Sequence, residues 1–243
     1  MTTDLHLTNL NHPDHNMRSK AVLMLEKSDH PQKYALLIQA LRDEADVFVT
    51  EDITWALVQH TDETLPLVVE LLGHDNPTIR QRAVHTLGKM GDSRAVEALI
   101  PVLDDAVSAI VVKCIFVLGQ IGDVRAIPPL VHKLGDEHVD IEALLLEVLT
   151  HFGSSALPYL LEALKHDNPK KREHAISILG ELGDEQSIPA LIECLNDAEW
   201  HVRFEAVNAL AGMMNSTIKT ALMALKDDPD KRVQALVNRM IGK

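Results

Sequence analysis

Aromatic side chains are scarce in this chain: two Trp, two Tyr and four Phe make up only 3% of 243 residues. A β-sandwich or barrel draws on aromatic and β-branched residues for its half-buried faces, so the scarcity turns the reading toward helices. Cysteine is nearly as rare. Cys114 and Cys194 stand far apart with no CxxC pair, which excludes a disulfide framework and a thiolate zinc site. Bases are in deficit, 23 Lys and Arg against 36 Asp and Glu, for a formal charge of −13. A nucleic-acid binder gains affinity by releasing counterions from phosphates with a basic face, so no nucleic-acid partner is expected. No stretch approaches the roughly 18 apolar residues of a membrane span. The opening MTTDLHLTNLNHPDH has neither the basic nor the apolar region of a secretion signal. The expectation is a soluble, reduced, cytoplasmic chain with no membrane contact. G-x-S-x-G, P-loop and G-x-G-x-x-G motifs are missing too, so the commonest nucleophile and phosphate sites are not in view.

What is present is apolar and repetitive. Hydrophobic residues make up 46%, mostly Leu, Ala, Val and Ile, which is too many for a disordered chain. LGKMGD at 87–92, LGQIGD at 118–123 and LGELGD at 179–184 are variants of one phrase, and HDNP occurs at 74–77 and 166–169. The small or apolar residue four before each such Leu gives the anchors Ala21, Ile53, Ala83, Cys114, Leu145, Ala175 and Ala206. Their spacings are 32, 30, 31, 31, 30 and 31 residues, and a partial unit follows near Ala235. A fixed period of this length marks a repeat architecture.

Each unit carries two helical patterns, typified by 79–90 and 94–103. Between them Gly91 can adopt the left-handed backbone that ends a helix, and Asp92 can cap the next one. Pro77, Pro169 and Pro229 follow the turns between units, where proline suits a first helical turn. A hairpin of about 31 residues cannot cover its own apolar face, so its neighbours must do so. The expected fold is therefore all-α: a right-handed solenoid of about seven hairpins plus a partial C-terminal repeat. It should form one domain over 14–243 after a tail at 1–13, with hairpin boundaries near 44, 75, 105, 137, 167 and 198.

The Asp-Asn-Pro turn, the Arg three residues before the anchor, the Leu-Gly after it and the Gly-Asp hinge resemble HEAT repeats. The short type found in phycobilisome bilin lyases is the nearest pattern. The resemblance covers about residues 14–243 and implies that Arg18, Arg80, Arg172, Arg203 and Arg232 pair with the turn acids Asp14, Asp75, Asp167, Asp197 and Asp228. Thr50, Val111 and Glu142 depart from the pattern at the Arg position. A bilin-lyase-like enzyme, or a subunit that handles a chromophore, is the alternative the resemblance suggests. Di-iron hydroxylases of similar architecture use His-Glu pairs, and this sequence contains no His-Glu dipeptide. His12 and His15 have a ligand-like spacing without a second pair, while His74 and His166 read as turn residues. No metal or other cofactor is expected, and no catalytic residue is assigned. Cys114 sits at a core anchor and makes a poor nucleophile, whereas Cys194 could be partly exposed.

The leading expectation is a non-catalytic module or scaffold that binds a protein or peptide partner, with a homodimer possible. Two surfaces are candidates. Rows of the second helices should line a concave groove holding Arg94, Arg125, Pro129, His132, Tyr159, Glu162 and Glu193, with a basic middle suited to an acidic segment. Outward rows of the first helices gather Leu23, Trp55, His85, Val112 and Phe116 into an apolar outer stripe.

Overall fold

The structure, a computed structural model, describes residues 9–135 and 138–242. Residues 1–8 of the expected tail, the boundary expected near 137, and Lys243 lie outside the described residues. Among the described residues all regular structure is helical and no strand occurs. The chain divides into two compact units, Met1–Ile121 and Gly122–Lys243.

Unit one contains α1 (His15–Glu26), α2 (Lys33–Asp43), α3 (Val47–Val58), α4 (Thr61–Glu70), α5 (Pro77–Met90), α6 (Val96–Leu99) and α7 (Ser108–Ile121). The first helices of the hairpins pack in sequence, α1 on α3, α3 on α5 and α5 on α7, while α2 lies against α4. Unit two contains α8 (Ile127–His132), α9 (Val139–His151), α10 (Leu157–Ala163), α11 (Pro169–Leu182), α12 (Ile188–Cys194), α13 (Trp200–Ala211), α14 (Ser216–Met223) and α15 (Lys231–Ile241). Here α9 packs on α11, α11 on α13 and α13 on α15, with α8, α10, α12 and α14 forming the second row. The hairpin boundaries near 44, 75, 105, 167 and 198 all fall between consecutive helices.

The anchor register holds. All seven anchors are buried, and the Leu four residues on from Ala83, Cys114, Ala175 and Ala206 is buried as well. Gly180 shows why the phrase contains Leu-Gly. A Cβ added there would stand 2.8 Å from the Ala209 Cβ, so α11 and α13 approach more closely than any side chain permits. Gly91 and Gly183 end α5 and α11 in the left-handed region, at φ 63° and 61°. Asp92, Asp123 and Asp184 then accept a backbone hydrogen bond from Arg94, Arg125 and Gln186 and start the next turn.

Three details differ from the sequence reading. The helix expected over 94–103 is interrupted: α6 is four residues long, flanked by 3-10 turns Ser93–Ala95 and Ile100–Asp104. Pro101 lacks the amide hydrogen that would continue the ladder. Pro229 lies outside its helix, because Asp230 takes the capping position before α15. Four of the five arginines, finally, pair one turn further on than expected. Arg18 reaches Glu44 at 2.8 Å rather than Asp14, and Arg80 reaches Asp105 at 2.6 Å rather than Asp75. Arg172 pairs with Asp197 and Arg203 with Asp228, each at 2.7 Å, in place of Asp167 and Asp197. Arg232 pairs with Asp230 instead of Asp228.

The first four of these arginines share a geometry. Each holds the carboxylate through Nε and one terminal nitrogen, and turns the other terminal nitrogen to two carbonyls of its own turn, such as His74 and Asp75 for Arg80. Each acid in turn accepts a backbone N–H two residues on, from Asp46, Val107, Glu199 or Asp230. One guanidinium thus fixes two consecutive turns. Reaching backward satisfies only carbonyls, whereas reaching forward completes a two-point charge pair.

Candidate interaction surfaces

The outer stripe lies entirely in unit one. Positions two residues past the anchors place Leu23 on α1, Trp55 on α3, His85 on α5 and Phe116 on α7. Leu23, Trp55 and Phe116 are 49%, 46% and 42% exposed, while His85 and Val112 are half-buried. The sequence reading missed Phe48, which is 76% exposed and seven residues before Trp55, two helical turns along the same face of α3. That spacing was the available signal. Neighbouring Val47 is equally bare. Lysines cover the ring faces in part: the Lys89 Nζ lies 5.1 Å from the Trp55 ring centre, and the Lys113 Nζ 5.5 Å from that of Phe116. Glu51 lies between His85 at 2.9 Å and Lys89 at 3.2 Å. The His85 hydrogen bond, more than any other influence, holds the Glu51 carboxyl below its ordinary range.

The groove residues divide between the units. Arg94 belongs to unit one, where it is tied to Asp92 at 2.6 Å and Asp62 at 2.7 Å. Arg125, at the start of unit two, pairs with Asp123 at 2.8 Å. That pairing, foremost among its causes, draws the Asp123 carboxyl down to about 2. Both guanidiniums of the expected basic middle therefore already serve local carboxylates.

Unit two brings His132, Tyr159 and Glu162 together around a cleft of roughly 420 Å³. Pro128 rather than Pro129 lines it, and Glu193 is exposed elsewhere on α12. The residue that sequence reasoning overlooked is Lys171, which lines the same cleft and is 5% exposed. It stands four before its anchor, where the other full repeats carry Met17, Val49, Ile79, Ile110, Ile141 and Val202. A comparison of that column across the repeats would have exposed it. Its Nζ donates to the His132 carbonyl at 2.9 Å, at the end of α8. Burial pushes its ammonium below the ordinary lysine value.

Other candidates resolve simply. The Nδ1 atoms of His74 and His166 accept the backbone N–H of Asn76 and Asn168 at 3.0 Å, as turn residues would. His12 does the same for Asp14. Among the described residues no group of three His, Cys, Asp or Glu could hold a metal ion. Cys114 and Cys194 are both buried, which corrects the expectation that Cys194 is partly exposed. Cys194 ends α12, which packs on α13, and burial pushes the two thiols up to about 12 and about 11. No described helix is long and apolar enough to cross a membrane.

The family model described as HEAT repeats matches residues 55–113 and 157–242, more than half of the chain, and that of the PBS lyase HEAT-like repeat matches 111–136. No curated protein matches the sequence. Among solved structures, importin beta aligns at 12% identity and a TM-score of 0.61, covering 98% of this chain and 40% of its own. The CpcE–CpcF complex of phycocyanin lyase from Nostoc aligns at 20% identity and 0.44, covering 100% of this chain and 94% of its own. Human deoxyhypusine hydroxylase in complex with glycerol aligns at 20% and 0.42, covering 99% and 95%. The importin beta alignment supports an all-α solenoid and, at its identity, nothing beyond the fold. Matched over more than half its length by the repeat model, with its anchors buried in register, the chain belongs to the HEAT-repeat family.

Proposed function

We propose that this protein is a non-catalytic interaction module that seats a protein partner on the outer face of unit one. The observation that carries the reading is the exposure of Leu23, Phe48, Trp55 and Phe116 on helices that pack in sequence. Apolar area left in water is unfavourable by about 25 cal/mol per Å², and contiguous patches of this kind mark interfaces in soluble proteins. The simplest cover is a second copy of the chain related by a two-fold axis, which would pair the stripe with itself. The buried, poorly ionised thiols and the locally paired arginines favour binding over catalysis.

Trp55 offers the test, since only Trp200 competes with it in fluorescence. Dilution of the assembled protein should red-shift Trp55 emission as its ring meets water. Trp55→Ser combined with Phe116→Ser should sediment as a monomer of unchanged helicity. A wild-type protein that stays monomeric at high concentration, with Trp55 freely quenched by iodide, overturns this use of the stripe.

A further inference from the structure

The cleft of unit two contains a charge that the fold does not need. Seven full repeats share one position four residues before the anchor, and six fill it with an aliphatic or thioether side chain: Val49, Ile79, Ile110, Ile141 and Val202 are buried and Met17 is half-buried. The seventh fills it with Lys171. Placing an ammonium among apolar groups is unfavourable unless its donors find partners. Here one donor meets the His132 carbonyl, and among the described residues no carboxylate pairs with the amine. The cap on α8 does not require lysine in particular: in unit one the half-buried Arg82 donates to the Leu41 and Arg42 carbonyls at the end of α2.

The groups around this amine are mostly donors. The His166 Nδ1 accepts a backbone N–H, so in the neutral ring the proton sits on Nε2 and can be donated. Tyr159 lines the same cleft and is 42% exposed. The carboxylate of Glu162 is tied to Lys165 at 3.0 Å. Asp167 also lines the cleft, and an acidic side chain there disfavours a doubly charged ligand more than a singly charged one.

We propose that this cleft is a seat for one carboxylate, the Asp or Glu side chain of a partner segment, held by Lys171 with Tyr159 packed against the neighbouring residue. The inference rests on the interaction-module reading but uses residues of unit two, whereas the stripe belongs to unit one. Each surface can therefore fail without the other. It also moves the acid-reading charge of the expected groove from Arg94 and Arg125 to a residue whose charge is uncommitted.

The test uses the full chain and an acetylated, amidated peptide alternating Glu with Ala, with its Gln counterpart and inorganic phosphate as comparisons. Amide resonances of His132, Tyr159, His166 and Lys171 are followed during titration. The Glu peptide should shift them saturably, and the Gln peptide should bind at least about tenfold more weakly, as expected when a charge-assisted hydrogen bond is lost. Lys171→Met should lose the same factor, and it should fold, because Met17 occupies the equivalent place in the first repeat. Lys171→Gln keeps a donor for the His132 carbonyl while removing the charge, and should also lose about tenfold. Unchanged affinity in a folded Lys171 variant overturns the proposal. So does inorganic phosphate binding as well as the Glu peptide, which would mark a site for free anions. Failure of the Trp55 and Phe116 experiment together with success here would leave the cleft standing alone.

Discussion

Replacing Gly180 by Ala sets two measurable effects against each other. In an open helix interior the change gains about 1 kcal/mol, because glycine loses more backbone freedom on folding than alanine. At this position the new Cβ would stand 2.8 Å from the Ala209 Cβ and 2.9 Å from its Cα. Carbon atoms settle at about 3.5–4.0 Å, so α11 and α13 must separate by roughly 0.7 Å, and one of the obstructing atoms is backbone that cannot rotate away. Overpacking of this kind costs about 1–3 kcal/mol. Against the propensity gain, the net expectation is a loss of up to about 2 kcal/mol, centred near 1. Gly73→Ala is the control. Nothing lies within 4 Å of the Cβ it would add, so that variant should be neutral or more stable by up to about 1 kcal/mol. Urea unfolding followed by far-ultraviolet circular dichroism, with Trp200 emission reporting on unit two, gives both values. If Gly180→Ala matches or exceeds the wild type at an unchanged denaturant slope, the close approach of α11 and α13 is wrong.

Arg203→Ala should destabilise unit two by about 3 kcal/mol, since it leaves the buried Asp228 carboxylate without its partner; Arg203→Lys should recover only part of that, and a loss below 0.5 kcal/mol in either sense would contradict the pairing (roughly the scatter of neutral surface changes). Acid should weaken the fold through the same pairs. The Arg80 and Arg203 hydrogen bonds hold Asp105 and Asp228 below the ordinary carboxylate value, and at Asp197 burial works upward but Arg172 and a backbone N–H outweigh it. A carboxyl depressed in the folded state contributes stability above its unfolded value, near 3.8 for Asp, and loses it as pH falls through the folded value. Melting temperature should therefore hold level with respect to these groups above about pH 5 and drop below pH 4, less steeply in Arg203→Ala. A thiol reagent such as Ellman's should leave Cys114 and Cys194 unmodified for hours in the native protein and label both at once in denaturant; rapid native labelling would show that the α12 packing is wrong.

Period and glycine placement made the fold legible, because both are consequences of stacking. A repeat of about 31 residues with a small anchor has to bury that anchor, and Ala83, Ala175 and Ala206 are buried as the column demanded. The stripe was legible for a similar reason: 100° per residue places Trp55 and Phe116 opposite the core whatever the neighbours do. Direction was not legible. A sequence shows that arginine and acid recur, but whether Arg172 turns back to Asp167 or forward to Asp197 depends on where the turns lie in space. The local pairing within the basic middle of the groove is hidden for the same reason, since a capping Asp has a second oxygen, which at Asp92 and Asp123 holds Arg94 and Arg125. Lys171 escapes a reading of the anchor and outward rows because it stands on the inward position, where a charge is least expected.

The forward reach of the arginines sets a rule for how such a chain can change length. Arg172 meets Asp197 and Arg203 meets Asp228, and both the two bases and the two acids are 31 residues apart. A duplicated block from 198 to 228 would carry one pairing arginine, Arg203, and one pairing acid, Asp228. Each arginine would again find a carboxylate at the next turn, and nothing upstream or downstream would be left unpaired. A block that is not a whole number of repeats would strand a guanidinium on one side and a carboxylate on the other. Growth and loss by whole repeats are therefore close to neutral for these pairs, whereas fractional insertions are penalised twice, which keeps the period fixed while the surface residues remain free to diverge.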